Sequence, residues 1–207
     1  ASIGYFSWIA LAYAFKWIWA PFVDRLSIPI LTNALGRRRS WLLLSQISIV
    51  LALVGMAMSD PQLNLSLFVI FAMIVAYSSA TQDIVIDAYR IESAPEKFQA
   101  AMAAAYMTGY RLAMIMAGAG SLAIAAWVSP SDAYHLGAWS LSYFVMAGCM
   151  SVGIITTFIC HEPEYHDKQK IKLKQIENKL EHQHVPRIFS RFIAWLDIAI
   201  VAPFADF

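Results

Sequence analysis

An all-α, polytopic membrane protein with five transmembrane helices is what this sequence predicts, on three observations. Of its 207 residues, 59% are hydrophobic and only 14% are charged. Mean hydropathy is +0.57. The charges are gathered into short intervals that leave long uncharged runs between them. Soluble domains carry about 25% charged residues, so the bilayer is the main solvent here. Two cysteines exclude a disulfide scaffold, and a net charge of +1 without a basic domain excludes a nucleic-acid binder.

A spanning helix needs about 20 mostly apolar residues. Cutting the chain where charges cluster leaves five such intervals, 2–23, 41–58, 65–89, 98–128 and 137–160. In the first, Phe15, Trp17, Trp19 and Phe22 bracket Lys16 and Pro21, as rings of an interfacial belt or of packing do. The second follows three consecutive arginines. The third carries a polar face. The fourth is rich in Ala and Gly, which predicts close helix packing, and is long enough to tilt or project from the membrane. The fifth holds Cys149 and Cys160, separated by about 16 Å of helical rise and therefore unable to pair; packing in the core is their expected role. A sixth stretch, 192–204, is short and broken by Asp197 and Pro203, and suits an interfacial helix.

The connections alternate. Arg25, Arg37, Arg38 and Arg39 follow the first span, Arg90 and Lys97 the third, and a run of lysines and arginines from Lys168 the fifth, whereas the second and fourth connections hold no basic residue. Of the 15 basic residues only Lys16 and Arg111 fall inside spans. The positive-inside rule puts the basic connections in the cytoplasm and Ala1 on the far side. A far-side start with neither a signal peptide nor an initiating Met predicts a preceding helix absent from this chain, and the sequence is expected to be a fragment at both ends. The organisation expected is thus a five-helix part of a bundle over 1–160, a cytoplasmic linker over 161–190 with amphipathic helical character, and an interfacial segment over 191–207. His161, His166, His182 and His184 fall in or beside that linker without the spacing of a metal site, so neither metal nor cofactor is expected. Enzyme signatures such as a nucleophile elbow or a phosphate loop are missing from the sequence as well.

Ionisable groups inside spans cost roughly 2.5 to 3.5 kcal/mol each on insertion scales and so demand a partner, a wet cavity or a function. Lys16 and Asp83 both lie roughly 10 to 12 Å from the cytoplasmic ends of their helices, so an ion pair between them is geometrically open. Ser79, Asp83, Asp87 and Arg90 recur at spacings that stack them on one face. For Asp83 two readings stand, a protonatable or solute-linked carboxylate and a structural partner of Lys16. Asp87, nearer the lip, suits pairing with Arg25, Arg37 or Arg90. Arg111, about 21 Å in, is a fixed cation fitted to an anionic solute, with Tyr110 and Gln82 as companions; pairing with a carboxylate is its alternative.

Taken together, YAFKWIWAPFVDR, GRRRSWLLLSQ, SSATQDIVIDAYR and GYRLAMIMAG, in that order, and IVAPFADF near the end, resemble the AmpG muropeptide permease family of the major facilitator superfamily. The resemblance implies a transporter of twelve to fourteen helices, of which this chain supplies helices two to six and the central linker. It further implies proton-driven import of anhydro-muropeptides across the bacterial inner membrane for cell-wall recycling. Asp24, Arg25, Gly36, Arg37, Arg38 and Arg39 then resemble a lengthened form of the superfamily's cytoplasmic gating loop. Asp83, Asp87 and Arg111 fall at the family's charged positions. The TQDI-x-x-DA stretch is shared with acetyl-coenzyme A transporters, which leaves another anionic solute as the alternative; a complete chain of this length would instead be a membrane module that transports nothing, since rocking needs a second bundle. The partners implied are the lipid bilayer, protons, a small-molecule solute and a missing C-terminal bundle, with no nucleic acid.

Overall fold

A computed structural model describes residues 11, 13–26, 28, 30–129 and 134–163. They belong to one compact unit, Ala1–Pro163. The linker and interfacial segment expected beyond 163, with His166, His182 and His184, lie outside the described residues, as does the first half of the 2–23 span.

Every regular element among the described residues is helical. In chain order they are α1 (Lys16–Arg25), the short α2 (Leu31–Leu35), α3 (Arg37–Ala57), α4 (Leu65–Ser93), α5 (Glu96–Val128) and α6 (Leu136–Ile159). α3 to α6 are each long and apolar enough to cross a membrane. In hydrocarbon a helix is the form that satisfies its own backbone, so apolar runs of this length fold as single helices. α5 is interrupted at Met116–Gly120 by a π-helical turn, in a run of Ala and Gly whose side chains offer little resistance to the wider winding.

α3 is the most enclosed helix, lying against both α4 and α6. Val69, Ala72, Ala76, Ala80 and Ile84 form a buried stripe on α4, and its three alanines let the α3 backbone come close. At the basic end Val23, Leu42, Ile84 and Val85 form a small core covered by Trp19 and Trp41. Polar ties join the helices. The Trp19 indole donates to Thr81 Oγ1 at 3.3 Å, Trp41 donates to the Leu26 carbonyl at 2.8 Å, and Ser140 donates to the Ala57 carbonyl at 2.6 Å. Deep between α3 and α6, Thr157 Oγ1 donates to Gln46 Oε1 at 3.0 Å, pairing two buried groups that lipid could not satisfy.

Three sequence expectations change. The small residues of α5 up to Gly120 do not pack against the described helices: a Cβ added at Gly109, Gly118 or Gly120 meets nothing within 4 Å, and no residue of Glu96–Gly120 is buried, whereas Ala125 further on is buried and Ser142 of α6 donates to the Ser121 carbonyl. Small side chains permit close approach but do not create a neighbour. Cys149 is exposed rather than in the core. α4 runs on past residue 89 to Ser93, since a helix continues through polar residues once it leaves the bilayer.

Candidate functional site

Three arginines open α3, where the helix macrodipole already places positive charge. Such a terminus requires carboxylates, and the fold brings three from different parts of the chain. Arg38, 5% exposed, makes a two-pronged pair with Glu92 of α4, Nε to Oε2 at 3.0 Å and Nη2 to Oε1 at 2.6 Å, and its Nη1 reaches Asp24 Oδ1 of α1 at 2.6 Å. Arg37 donates to the Asp24 carbonyl and lies 4.0 Å from Glu92. Glu162 accepts from the backbone N–H groups of Arg38 and Arg39 at 2.7 and 3.1 Å, taking the place of a side-chain cap that Gly36 cannot provide. Arg39 in turn donates to the last carbonyls of α6, Thr157 and Phe158, both at 2.8 Å. Gly36 has φ +90°, and a Cβ there would run into the Glu162 carboxylate.

A second group lines the hairpin of α4 and α5. Gln99 Nε2 donates to the Ala94 and Ile91 carbonyls near the turn. Deeper in, Tyr106 Oη donates to Asp83 Oδ1 at 3.5 Å and the Arg90 guanidinium lies over the Tyr106 ring, 5.5 Å from its centroid. Arg90 also pairs with Asp87 at 3.6 Å. Tyr110 stands next to Tyr106, ring centroids 6.4 Å apart, and is followed by Arg111, which is exposed. Gln82 Oε1 is a buried acceptor without a hydrogen bond among the described residues. The α4 and α5 hairpin therefore carries two carboxylates, two guanidiniums, phenol hydroxyls and an amide, groups of the kind that bind a polar anion.

Asp83, Asp87, Arg90 and Tyr106 come together, with Tyr110 beside them. Lys16 and Asp83 do not form an ion pair: among the described residues no such contact lies within 4.0 Å, although Lys16 acts on Asp83 through space. Equal depth on two helices does not bring their side chains to the same side. Nor does any described carboxylate lie within that distance of Arg111. The Arg25 side chain lies outside the described residues. Apart from this face, a cavity of about 260 Å³ at the other end of the bundle is lined by Met56, Phe68, Tyr134, Trp139 and Tyr143, among others.

Residues 1–205 match the model of the Major Facilitator Superfamily. The chain belongs to that superfamily. Among similar superfamily sequences, the anhydromuropeptide permease of Escherichia coli K12 is 36% identical over 162 residues, covering 78% of this chain and 30% of the permease. A putative transporter AmpG 3 of Rickettsia prowazekii is 44% identical over 121 residues, 58% of this chain and 29% of that protein. A putative transporter AmpG 4 of Rickettsia felis is 29% identical over 207 residues, 100% of this chain and 44% of that protein. The chain thus spans less than half the length of these curated relatives. As a superfamily member with four helices long and apolar enough to cross a membrane, it is an integral membrane protein. Sequence reasoning missed Glu92 and Glu162, which complete the arginine network, and gave Tyr106 no role. The available signal for Glu92 was its place eight residues past Ile84, in the four-residue register of the Ala76, Ala80 and Ile84 stripe on a helix that runs to Ser93.

Proposed function

We propose that the chain is the larger part of the N-terminal bundle of a proton-coupled importer of anhydro-muropeptides in the bacterial inner membrane, completed by a further bundle. The observation that carries this reading is the polar face of α4 and α5. Asp83 lies inside the span with a weak tyrosine hydrogen bond and no ion pair among the described residues, and exposed Arg111 stands more than a turn beyond Tyr106 on α5. A carboxylate so placed is suited to take up and release a proton, and Arg111 with Tyr110 and Gln82 is suited to an anionic sugar-peptide. The similarity to the E. coli permease supports the solute class. Lys16 adds a positive charge from α1 that acts on Asp83 through space. Asp87, paired with Arg90, holds that arginine near the cytoplasmic lip. Asp24, Glu92 and the Arg37 to Arg39 cluster form the cytoplasmic gate, closing the ends of α1, α3 and α4 together.

The test is uptake of labelled anhydro-muropeptide by permease-deficient cells expressing the extended reading frame, with and without a protonophore, for wild type and Asp83→Asn. Uptake abolished by both treatments at normal expression is expected. A well-expressed wild type that takes up nothing would defeat the muropeptide reading and favour a different anion, acetyl-coenzyme A first.

A further inference from the structure

Asp83 and Arg90 are two turns apart on α4, about 10 Å of rise, so neither reaches the other along its own helix. Tyr106 of α5 occupies the interval. Its hydroxyl donates to Asp83 at 3.5 Å, and the face of the same ring carries the Arg90 guanidinium at 5.5 Å. One side chain therefore touches both an acid and a cation that do not touch each other. The other groups acting on Asp83 are Lys16 and Tyr13 from the first span and Asp87 one turn along α4, while Tyr110 stands beside Tyr106. Arg90 is incompletely served where it lies: Asp87 is 3.6 Å away, but its buried Nε has no acceptor among the described residues.

Building on the proton-coupled reading above, we infer that Tyr106 is a positioning residue that ties the charge state of Asp83 to the placement of Arg90. While Asp83 is ionised, the hydroxyl bond is charge-assisted and holds the ring beneath the guanidinium. A proton on Asp83 removes that assistance and releases the ring. Arg90 then loses its aromatic seat and becomes available to an anion on the same face. Tyr106 keeps its own proton throughout; the proton that moves is the one on Asp83.

The experiment is muropeptide uptake across external pH by the extended reading frame, for wild type, Tyr106→Phe and Tyr106→Leu, together with melting of Asp83→Asn, Tyr106→Phe and the double variant in detergent. Tyr106→Phe keeps the ring and loses the donor to the carboxylate, so half-maximal uptake is expected to move to higher pH by about half a unit or more, with KM nearly unchanged. Tyr106→Leu, which also removes the seat of Arg90, is expected to lower the maximal rate about tenfold. In melting, Tyr106→Phe should cost less once Asp83→Asn is present, because the amide oxygen accepts from the hydroxyl without the charge. An unshifted pH profile in Tyr106→Phe, with wild-type uptake intact and protonophore-sensitive, overturns this inference and leaves the transport reading standing. Additive melting losses overturn it as well. A wild type without protonophore-sensitive uptake overturns the transport reading and this inference with it.

Discussion

Arg39 and Glu162 cap each other's helices. The guanidinium of Arg39, in the first turn of α3, donates to the final carbonyls of α6, while the carboxylate of Glu162, just past α6, accepts from the first N–H groups of α3. Each charge also meets the helix end of opposite polarity, so dipole and hydrogen bond act in the same direction. Glu162→Ala should cost about 1 to 2 kcal/mol of stability and Glu162→Gln distinctly less, since the amide still accepts one N–H. Thermal unfolding in detergent checks the order. Equal losses would show that charge, not capping, is what Glu162 supplies.

Arg38 is buried against two carboxylates. Arg38→Ala should destabilise by about 3 kcal/mol, near the low end for a broken buried pair because Glu92 and Asp24 retain some water. Arg38→Lys should recover less than half of that, because an ammonium cannot reproduce the two-pronged contact with Glu92. A lysine variant melting like wild type would refute the geometry.

Gly36 combines a left-handed backbone with a carboxylate where a side chain would go. Gly36→Ala should therefore lose more than about 1 kcal/mol. In a Glu162→Ala background the clash disappears and only the backbone strain remains, so the loss from Gly36→Ala should shrink without vanishing. Melting of the four variants measures both parts.

Between α3 and α6, Thr157→Val alone strands the buried Gln46 amide and should cost about 1 to 2 kcal/mol. The double change Thr157→Val with Gln46→Leu should cost less than the sum of the two single changes. Strict additivity in unfolding would mean the pair does not interact.

Arg111 is exposed and has no carboxylate within ion-pair distance among the described residues, so Arg111→Gln should leave melting within about 0.5 kcal/mol of wild type while sharply reducing solute uptake. A large melting loss with residual uptake in proportion to expression would assign Arg111 a structural role instead.

Hydropathy is a local property, and what depended on it was readable from the residues. The expected intervals 41–58, 65–89, 98–128 and 137–160 correspond to Arg37–Ala57, Leu65–Ser93, Glu96–Val128 and Leu136–Ile159 within a few residues. Partner choice is not local. Arg38 finds Glu92 at a separation of 54 residues and Glu162 at 124, and cutting the chain at its charges left Glu92 outside its helix. Depth counting placed Lys16 level with Asp83 but carried no information on which way each side chain points. Tyr106 was visible as a polar ring in an apolar run; its contact with Asp83 depends on the hairpin bringing two residues equally far from the Ala94–Pro95 turn face to face.

The separation of 124 residues between Arg38 and Glu162 also sets an order of events during biosynthesis. At 5 to 20 residues per second, the ribosome delivers Glu162 roughly 6 to 25 s after Arg38. Through that interval the start of α3 holds three arginines with its leading amide groups uncapped by their final partner, and headgroup phosphates or water at the membrane surface must serve them in the meantime. Seating of Glu162 then displaces these temporary partners, so the last residues of this unit to emerge are the ones that finish one of its earliest helices.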